Sequence, residues 1–407
     1  MSMTMKNTKD INLVKVDNVI RGINKDCKKA FKDHYNPCYI LSKKCSYNMV
    51  ISRRSDGKTF AMRLLIYYAW QKYGYTSVIL RRLAEMIKAK YVRNDFTKIF
   101  ELFPEINFKK YDGMNYFNGT IRGYWERDNN VKEYDKPFVE YLSLSNQETS
   151  KSSKDYNNLF MILFDEFLSR DKYLGGSSGD SEYMAFMNIC STCLREQYDA
   201  TIVMLGNPVS WDCPYFREFG IGDVLKIPDG TIKVFKTDKS QTSIALEKTG
   251  VENGNKKIEL VNSRFFGFQN NRIKSITNGL WETPLYPRLK KQFNEKVITD
   301  KLFIKCDNIN LRMIICHTDK LGLFIRVHQT SIDEYEKDDV VFDISNDMII
   351  GSNVYTKSNS NNRIKRIEQI IFLLYQQNKF FYSDNTVGET VRLFMIDYSN
   401  TQPRQFN

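Results

Sequence analysis

Apolar residues in the first 240 positions come in short runs, separated by polar turns and by longer stretches with helical spacing. Met49–Ile51 is one such run and predicts a strand. After a polar loop comes "FAMRLLIYYAWQKYG", whose length and apolar face predict a helix stopped by Gly74. "TSVIL" predicts a second strand, and "RRLAEMIKAKY" a basic helix after it. Upstream, "NKDCKKAFKDHY" predicts a short basic helix inside a lead-in over residues 1–45. "NLFMILF" (Asn158–Phe164) is a compact apolar strand that runs into two acids, and "YMAFMNICSTCLREQ" reads as a helix. "TIVMLGNP" (Thr201–Pro208) is a further strand, closed by a turn. Short apolar strands alternating with helices predict an α/β domain with a mainly parallel sheet.

The pattern changes after about Lys239. "VENGNKKIE" and "FQNNRIKSITNG" are polar, basic and Gly/Asn-containing, which suits a linker or lid. From Lys301 strands resume: "KLFIKC", "NLRMIICH" and "LGLFIRVHQ", the last two joined by a tight "TDK" turn, then "VVFDI". "NRIKRIEQIIFLLYQQ" predicts a helix, and "VRLFMI" is one more apolar segment. The expected division is therefore 1–240, a linker or lid over 241–298, and a second folded unit over 299–407.

Composition narrows the classes. The 407 residues contain 42% hydrophobic side chains, enough for sizeable cores, which excludes wholesale disorder. A net charge of +12 calls for an acidic partner, and nucleic acid is the usual one. No apolar run approaches the ~18 residues of a membrane span, so no membrane partner is expected. The start, "MSMTMKNTKD", lacks the apolar core of a secretion signal. The eight cysteines are scattered and suggest a reduced, cytosolic setting. Cys190 and Cys193 form a lone C-x-x-C on one helical face, read as packing because zinc needs two further ligands. The three histidines do not cluster.

The candidate chemistry begins with "SRRSDGKT", Ser52–Thr59, between the first strand and the first long helix. A phosphate loop wraps backbone N–H groups around a phosphate and enters a helix at its positive end. Its lysine reaches the β/γ-phosphates and its Ser/Thr hydroxyl binds Mg²⁺. Gly57, Lys58 and Thr59 stand where that chemistry needs them. Ser52 stands where the standard motif has glycine, a departure that constrains the turn. Arg53, Arg54, Ser55 and Asp56 complete the loop, the arginines being candidates for contact with phosphate or a neighbouring subunit. About a hundred residues on, "FMILFDE" has the form of a buried strand delivering an acid to Mg²⁺. Asp165 takes that role, and Glu166 that of polarising the attacking water. Arg195 is the first candidate for an arginine finger, in its own subunit or across a boundary, with Arg170 and Lys154 behind it. Asn207 in "LGNP" is a candidate γ-phosphate sensor. The lack of an Asn-Lys-x-Asp motif favours ATP over GTP.

Together, "SRRSDGKT", "SVILRRLAEM", "MILFDEF" and "VMLGNP", followed by a small strand-rich unit, resemble the viral DNA-packaging ATPases, motors related to terminase large subunits. Within these the chain is most similar to the phi29-like encapsidation proteins of small tailed phages. The resemblance covers most of the chain in element order, and its specific parts are the two nucleotide motifs. It implies a P-loop NTPase of the ASCE type, then a linker or lid, then a small RNase H-like α/β domain. It implies ATP and Mg²⁺ as cofactors, and a homo-oligomeric ring, of five subunits, at the portal of a procapsid. Such a ring drives double-stranded DNA inward in the host cytoplasm, docks only transiently on the procapsid and is not expected in the mature virion. A scaffold RNA in the ring stays open. The resemblance places a coupling motif on Gly206, Asn207 and Pro208. In terminases the second domain is a two-metal nuclease. Here Asp307 stands at the first ligand position, while Asp343, Asp384 and Glu389 form no convincing cluster, which implies a nuclease-inactive domain kept for DNA or portal contact. Candidate phosphate contacts are Lys256, Lys257, Arg272, Lys274, Lys290, Lys291, Arg363, Lys365 and Arg366. Three alternatives remain: a complete terminase with an active nuclease, a basic nucleic-acid-binding protein without ATPase activity, and a P-loop helicase or other ring ATPase.

Overall fold

The computed structural model describes residues 13–400 except 33, 128–130, 147–155, 157, 170–172, 175–179, 196, 211–212, 222–223, 225–226, 237–241, 251–262, 268–276, 278–280, 282–285, 290–294, 307–308, 333, 344–353 and 356–360. The chain forms two compact units, Met1–Glu282 and Thr283–Asn407.

The first unit is built on one large sheet. In chain order its elements are α1 (Val14–Asp26), α2 (Cys38–Leu41), β1 (Tyr47–Ile51), α3 (Lys58–Tyr73), β2 (Thr76–Arg81), α4 (Ala89–Val92), α5 (Thr97–Leu102), β3 (Gly113–Phe117), β4 (Thr120–Arg127), β5 (Val131–Tyr134), β6 (Val139–Ser143), β7 (Leu159–Asp165), α6 (Asp180–Cys193), β8 (Thr201–Gly206), α7 (Pro214–Glu218), β9 (Thr231–Lys236) and β10 (Ser243–Lys248). The strands lie in the order β3-β4-β6-β2-β7-β8-β1-β10-β9, with β5 added to β4. Every pairing from β6 through β10 is parallel. β8 separates the loop strand β1 from the acid strand β7, the order that defines the ASCE type.

Helices cover both faces of this sheet, so its central strands are apolar on both sides. Val50, Ile79, Leu163 and Val203 pack under α1 and α3. Met49, Ile51, Val78, Phe164 and Met204 pack on the opposite face with α6 and α7. α3 carries apolar side chains nearly all round because neighbours surround it. Its Trp70 stacks between Tyr111 and Phe138, with ring centroids 4.7 and 3.9 Å away. Cys190 and Cys193 are buried in the α6 core, as their shared helical face predicts.

Three local expectations need correction. "RRLAEMIKAKY" is not one helix: a 3₁₀ turn over Ala84–Ile87 and α4 are separated by Lys88, whose ψ of 145° is extended. The first helix among the described residues is α1, which ends at Asp26, and residues 28–32 of "NKDCKKAFKDHY" follow it as turns. The first boundary, set at residue 240, falls too early: Ser243–Lys248 is a strand paired along β1 and belongs to the large sheet.

The second unit holds β11 (Lys296–Cys306), β12 (Ile309–Thr318), β13 (Gly322–Thr330), β14 (Val340–Asp343), β15 (Val354–Tyr355), α8 (Asn362–Gln376), β16 (Phe380–Tyr382) and α9 (Asn385–Asn400). β11, β12 and β13 form an antiparallel meander, β14 joins β11 in parallel and β15 joins β14 in parallel. This order, β15-β14-β11-β12-β13 with β16 at the edge, is RNase H-like. Its core is closed by Ile364, Ile371 and Leu374 of α8 and Val387 and Val391 of α9.

Candidate nucleotide-binding site

β1 is buried along its whole length and parallel to both neighbours, so the loop after Ile51 leaves from a fixed point. Ser52 extends the ladder, its N–H donating to the Gly206 carbonyl at 3.2 Å. Its hydroxyl donates to the Arg53 carbonyl at 3.1 Å. Ser52 is not among the positive-φ residues, so the missing glycine costs the turn nothing. The left-handed positions are instead Ser55, at φ 70°, and Gly57, at φ 78°. Gly57 is also required by space, because a Cβ there would meet His34 Nδ1 at 2.7 Å.

Gly57 caps α3 without a side-chain hydrogen bond, which leaves the first-turn N–H groups facing the loop. Such an N-terminus, carrying the positive end of a helix dipole, suits a phosphate. Lys58 is 8% exposed, and its Nζ donates to Asn207 Oδ1 at 2.5 Å. Burial lowers the ammonium pKa, and Asp165, Asp56 and Glu166 oppose that shift. The Thr59 hydroxyl donates to Asp165 Oδ1 at 3.0 Å. Lysine, threonine, acid and asparagine from three separate segments therefore meet at the ends of the central strands. A threonine hydroxyl beside a carboxylate is a hard-oxygen pair that fits Mg²⁺.

Asp165 is buried and Glu166 is not, its side chain being 57% exposed. Glu166 has a φ of 68°, rare for a residue with a Cβ. Arg81, at the end of β2, serves both acids: Nη2 lies 2.9 Å from Asp165 Oδ2 and Nη1 3.8 Å from Glu166 Oε2. Sequence reasoning missed Arg81. Its signal was the arginine pair ending "SVILRR", but only strand order puts β2 beside β7.

The two loop arginines diverge. Arg54 is exposed. Arg53 is buried, with Nε 2.7 Å from Asp56 Oδ1 and Nη1 donating to the Thr277 carbonyl at 3.2 Å. Burial raises the Asp56 carboxyl pKa. The loop is held from upstream as well, the Tyr35 N–H donating to the Asp56 carbonyl at 2.9 Å. The Tyr35 hydroxyl donates to Glu247 of β10.

Arg195 is not brought to this loop within its own chain. It is exposed, just past the end of α6, and two residues on Gln197 accepts from the N–H of Leu159, the first residue of β7. Asp165 ends the same strand six residues later, about 20 Å away at ~3.3 Å per residue. Arg170 and Lys154 lie outside the described residues, as do Asp307, Lys256, Lys257, Arg272, Lys274, Lys290 and Lys291.

Residues 29–229 match the family model of the podovirus DNA encapsidation protein (Gp16). Over those residues, just under half of its length, the chain is similar to that family. It is 28% identical over 233 residues to the DNA packaging proteins of Bacillus phages phi29 and PZA, an alignment covering 54% of this chain and 63% of each relative. Its fold is similar to that of two solved structures, the Phi-28 gp11 DNA packaging motor and the bacteriophage Phi-29 genome packaging motor assembly. The first shares 19% identity at a TM-score of 0.57, covering 92% of this chain and all of that one. The second shares 18% at 0.58, covering 89% and 98%. The family match contains every element of the loop and acid constellation.

Proposed function

We propose that this chain is an ATPase subunit of a viral motor that drives double-stranded DNA into a procapsid, working in a homo-oligomeric ring of five at the portal. The observation that carries this reading is the Lys58–Asn207, Thr59–Asp165 and Arg81–Glu166 set of contacts around a phosphate-binding loop. Lys58 and the α3 N-terminus hold the β- and γ-phosphates of ATP, and Thr59 and Asp165 hold Mg²⁺. The bound ion supplies positive charge to the phosphate oxygens. Glu166 orients the attacking water. Asn207 shares the Lys58 ammonium, so a γ-phosphate competing for it alters the β8 turn and reports the nucleotide state. Arg195 stands too far from its own loop to serve it, so its finger role belongs to the adjoining subunit of the ring.

The second unit serves as a contact surface for DNA or portal, without nuclease activity. On its central parallel strands Lys305 pairs with Asp343, Nζ to Oδ2 4.0 Å. A two-metal nuclease needs carboxylates grouped around the ions, and an ammonium here occupies that neighbourhood. Arg363, Lys365 and Arg366 are exposed along α8 and offer sequence-independent phosphate contacts. The setting is the host cytoplasm, with transient docking on the procapsid.

The test is Mg·ATP binding to the full chain, wild type against Lys58→Ala, followed by procapsid packaging. Binding by wild type alone, with packaging lost in the variant, is the expected result. Equal behaviour of the two chains would remove the phosphate loop from the function.

A further inference from the structure

Glu166 holds a left-handed backbone that non-glycine residues avoid, so its neighbours must impose it. Both backbone groups of the next residue are fixed. The Phe167 N–H donates to the Leu205 carbonyl at 3.0 Å, in the strand between acid and loop. The Phe167 carbonyl accepts from Arg82 Nη2 at 2.7 Å. Arg82 is itself held: its Nε lies 2.9 and 3.1 Å from the two carboxylate oxygens of Glu182, on α6. Glu182 is fully buried and also accepts from the Leu174 N–H at 2.9 Å and the Tyr215 hydroxyl at 3.0 Å. The Arg82 guanidinium lies over the Tyr173 ring, 5.2 Å from its centroid, and the Tyr173 hydroxyl accepts from the Ser169 N–H at 3.2 Å. The backbone just past Glu166 is thus gripped from behind at residues 167 and 169.

We propose that Arg82, oriented by Glu182, is a positioning residue for Glu166. The two arginines ending β2 divide the work: Arg81 meets the carboxylates, and Arg82 fixes the main chain that aims one of them. A buried ion pair is poor evidence for stability in itself, since well-packed apolar residues do as well. A guanidinium whose Nε–H is shared by both oxygens of one buried carboxylate keeps its Nη2–H free to aim at one carbonyl, which is what a geometric constraint on that carbonyl requires. The inference rests on Glu166 orienting water for ATP hydrolysis.

The experiment is a double-variant cycle on the full chain with Mg·ATP and double-stranded DNA, using Arg82→Met, Glu166→Gln and both together. Arg82→Met is expected to lower kcat about 100-fold, the usual cost of a misplacement near 1 Å, with KM for ATP unchanged. The combined chain should be no slower than Glu166→Gln alone, because both changes remove one aimed carboxylate. Arg82→Lys keeps the charge beside Glu182, and with it the fold, yet lacks the fork that spans Glu182 and the Phe167 carbonyl. It should be slow as well, and it supplies the readout if Arg82→Met does not fold. Losses that multiply in the combined chain, or full activity in Arg82→Lys, would overturn the inference while leaving the motor reading intact. A wild-type chain that binds no ATP would overturn both.

Discussion

Both units place a buried aspartate at the end of a parallel strand, with a cation on the strand beside it. In the large sheet this is Asp165 with Arg81, and in the small sheet Asp343 with Lys305. The surroundings differ. Asp165 also accepts the Thr59 hydroxyl, next to a lysine and an uncapped helix N-terminus. Its cation is a fork that also reaches Glu166, so the carboxylate stays open toward Thr59. Asp343 has a lysine 4.0 Å away on the adjacent strand, and among the described residues of its unit no phosphate loop converges on it. A strand-end acid becomes a phosphate site only when a loop converges on it. Lacking one, it is an ion pair that keeps a buried carboxylate tolerable.

The largest test of this difference is at the loop. Lys58→Ala should weaken Mg·ATP binding about 100-fold, as expected for losing a charge-assisted contact worth ~1.5–3 kcal/mol; titration calorimetry reads this directly. Glu166→Gln should leave binding intact and slow hydrolysis by 10²–10⁴, roughly the contribution of a general base. If binding fell with hydrolysis in Glu166→Gln, the division of labour between loop and acid would be wrong.

A smaller effect separates the sheets by pH. Burial raises the Glu247 carboxyl to about 7, next to the Tyr35 hydroxyl. Between the ordinary glutamate value, about 4.3, and that raised value, the folded chain binds more protons than the unfolded one. Stability therefore falls as pH climbs through this window and levels off above it, by on the order of 3 kcal/mol at most. Denaturant melts from pH 4 to 8 should show this slope in wild type and lose it in Glu247→Gln.

The second sheet should respond more weakly. Asp343→Asn breaks an ion pair whose lysine is 34% exposed, so it should cost about 1 kcal/mol. Plasmid should stay intact with Mg²⁺ or Mn²⁺ in wild type and in Asp307→Ala alike. Metal-dependent nicking that Asp307→Ala and Asp343→Asn both abolish would make the two strand-end acids functional equals. The smallest change is expected from Ser52→Gly, which restores the standard motif. Because Ser52 is not left-handed, glycine gains nothing and should lower stability by ~0.5–1 kcal/mol through chain entropy, with ATP affinity unchanged.

Much of this was legible in the residues. "SRRSDGKT" and "FMILFDE" announce the loop and the acid because their chemistry depends on local spacing along a strand, a turn and a helix start. The meander of the second unit was legible from its apolar runs and short turns. The segment after β2 was misread because Lys88 breaks a helical pattern that its neighbours support. The linker assignment overran β10, since a six-residue strand among polar segments has no signal stronger than its surroundings.

The sequence by itself determined the proposed phosphate residues, because the loop with its lysine and hydroxyl is one short stretch, Ser52–Thr59, and the two acids adjoin at one strand end. Tertiary structure alone decided which cations serve them. Arg81 and Arg82 reach the acids through the neighbour relation of β2 and β7, and Arg53 turns inward to Thr277, more than two hundred residues along the chain. Arg195, the first candidate finger by sequence, is carried to the far end of the strands because α6 must run the length of the sheet before β8 can start parallel to β7. Parallel strands need such a crossover, and it separates residues that are close in sequence while pairing strands that are not.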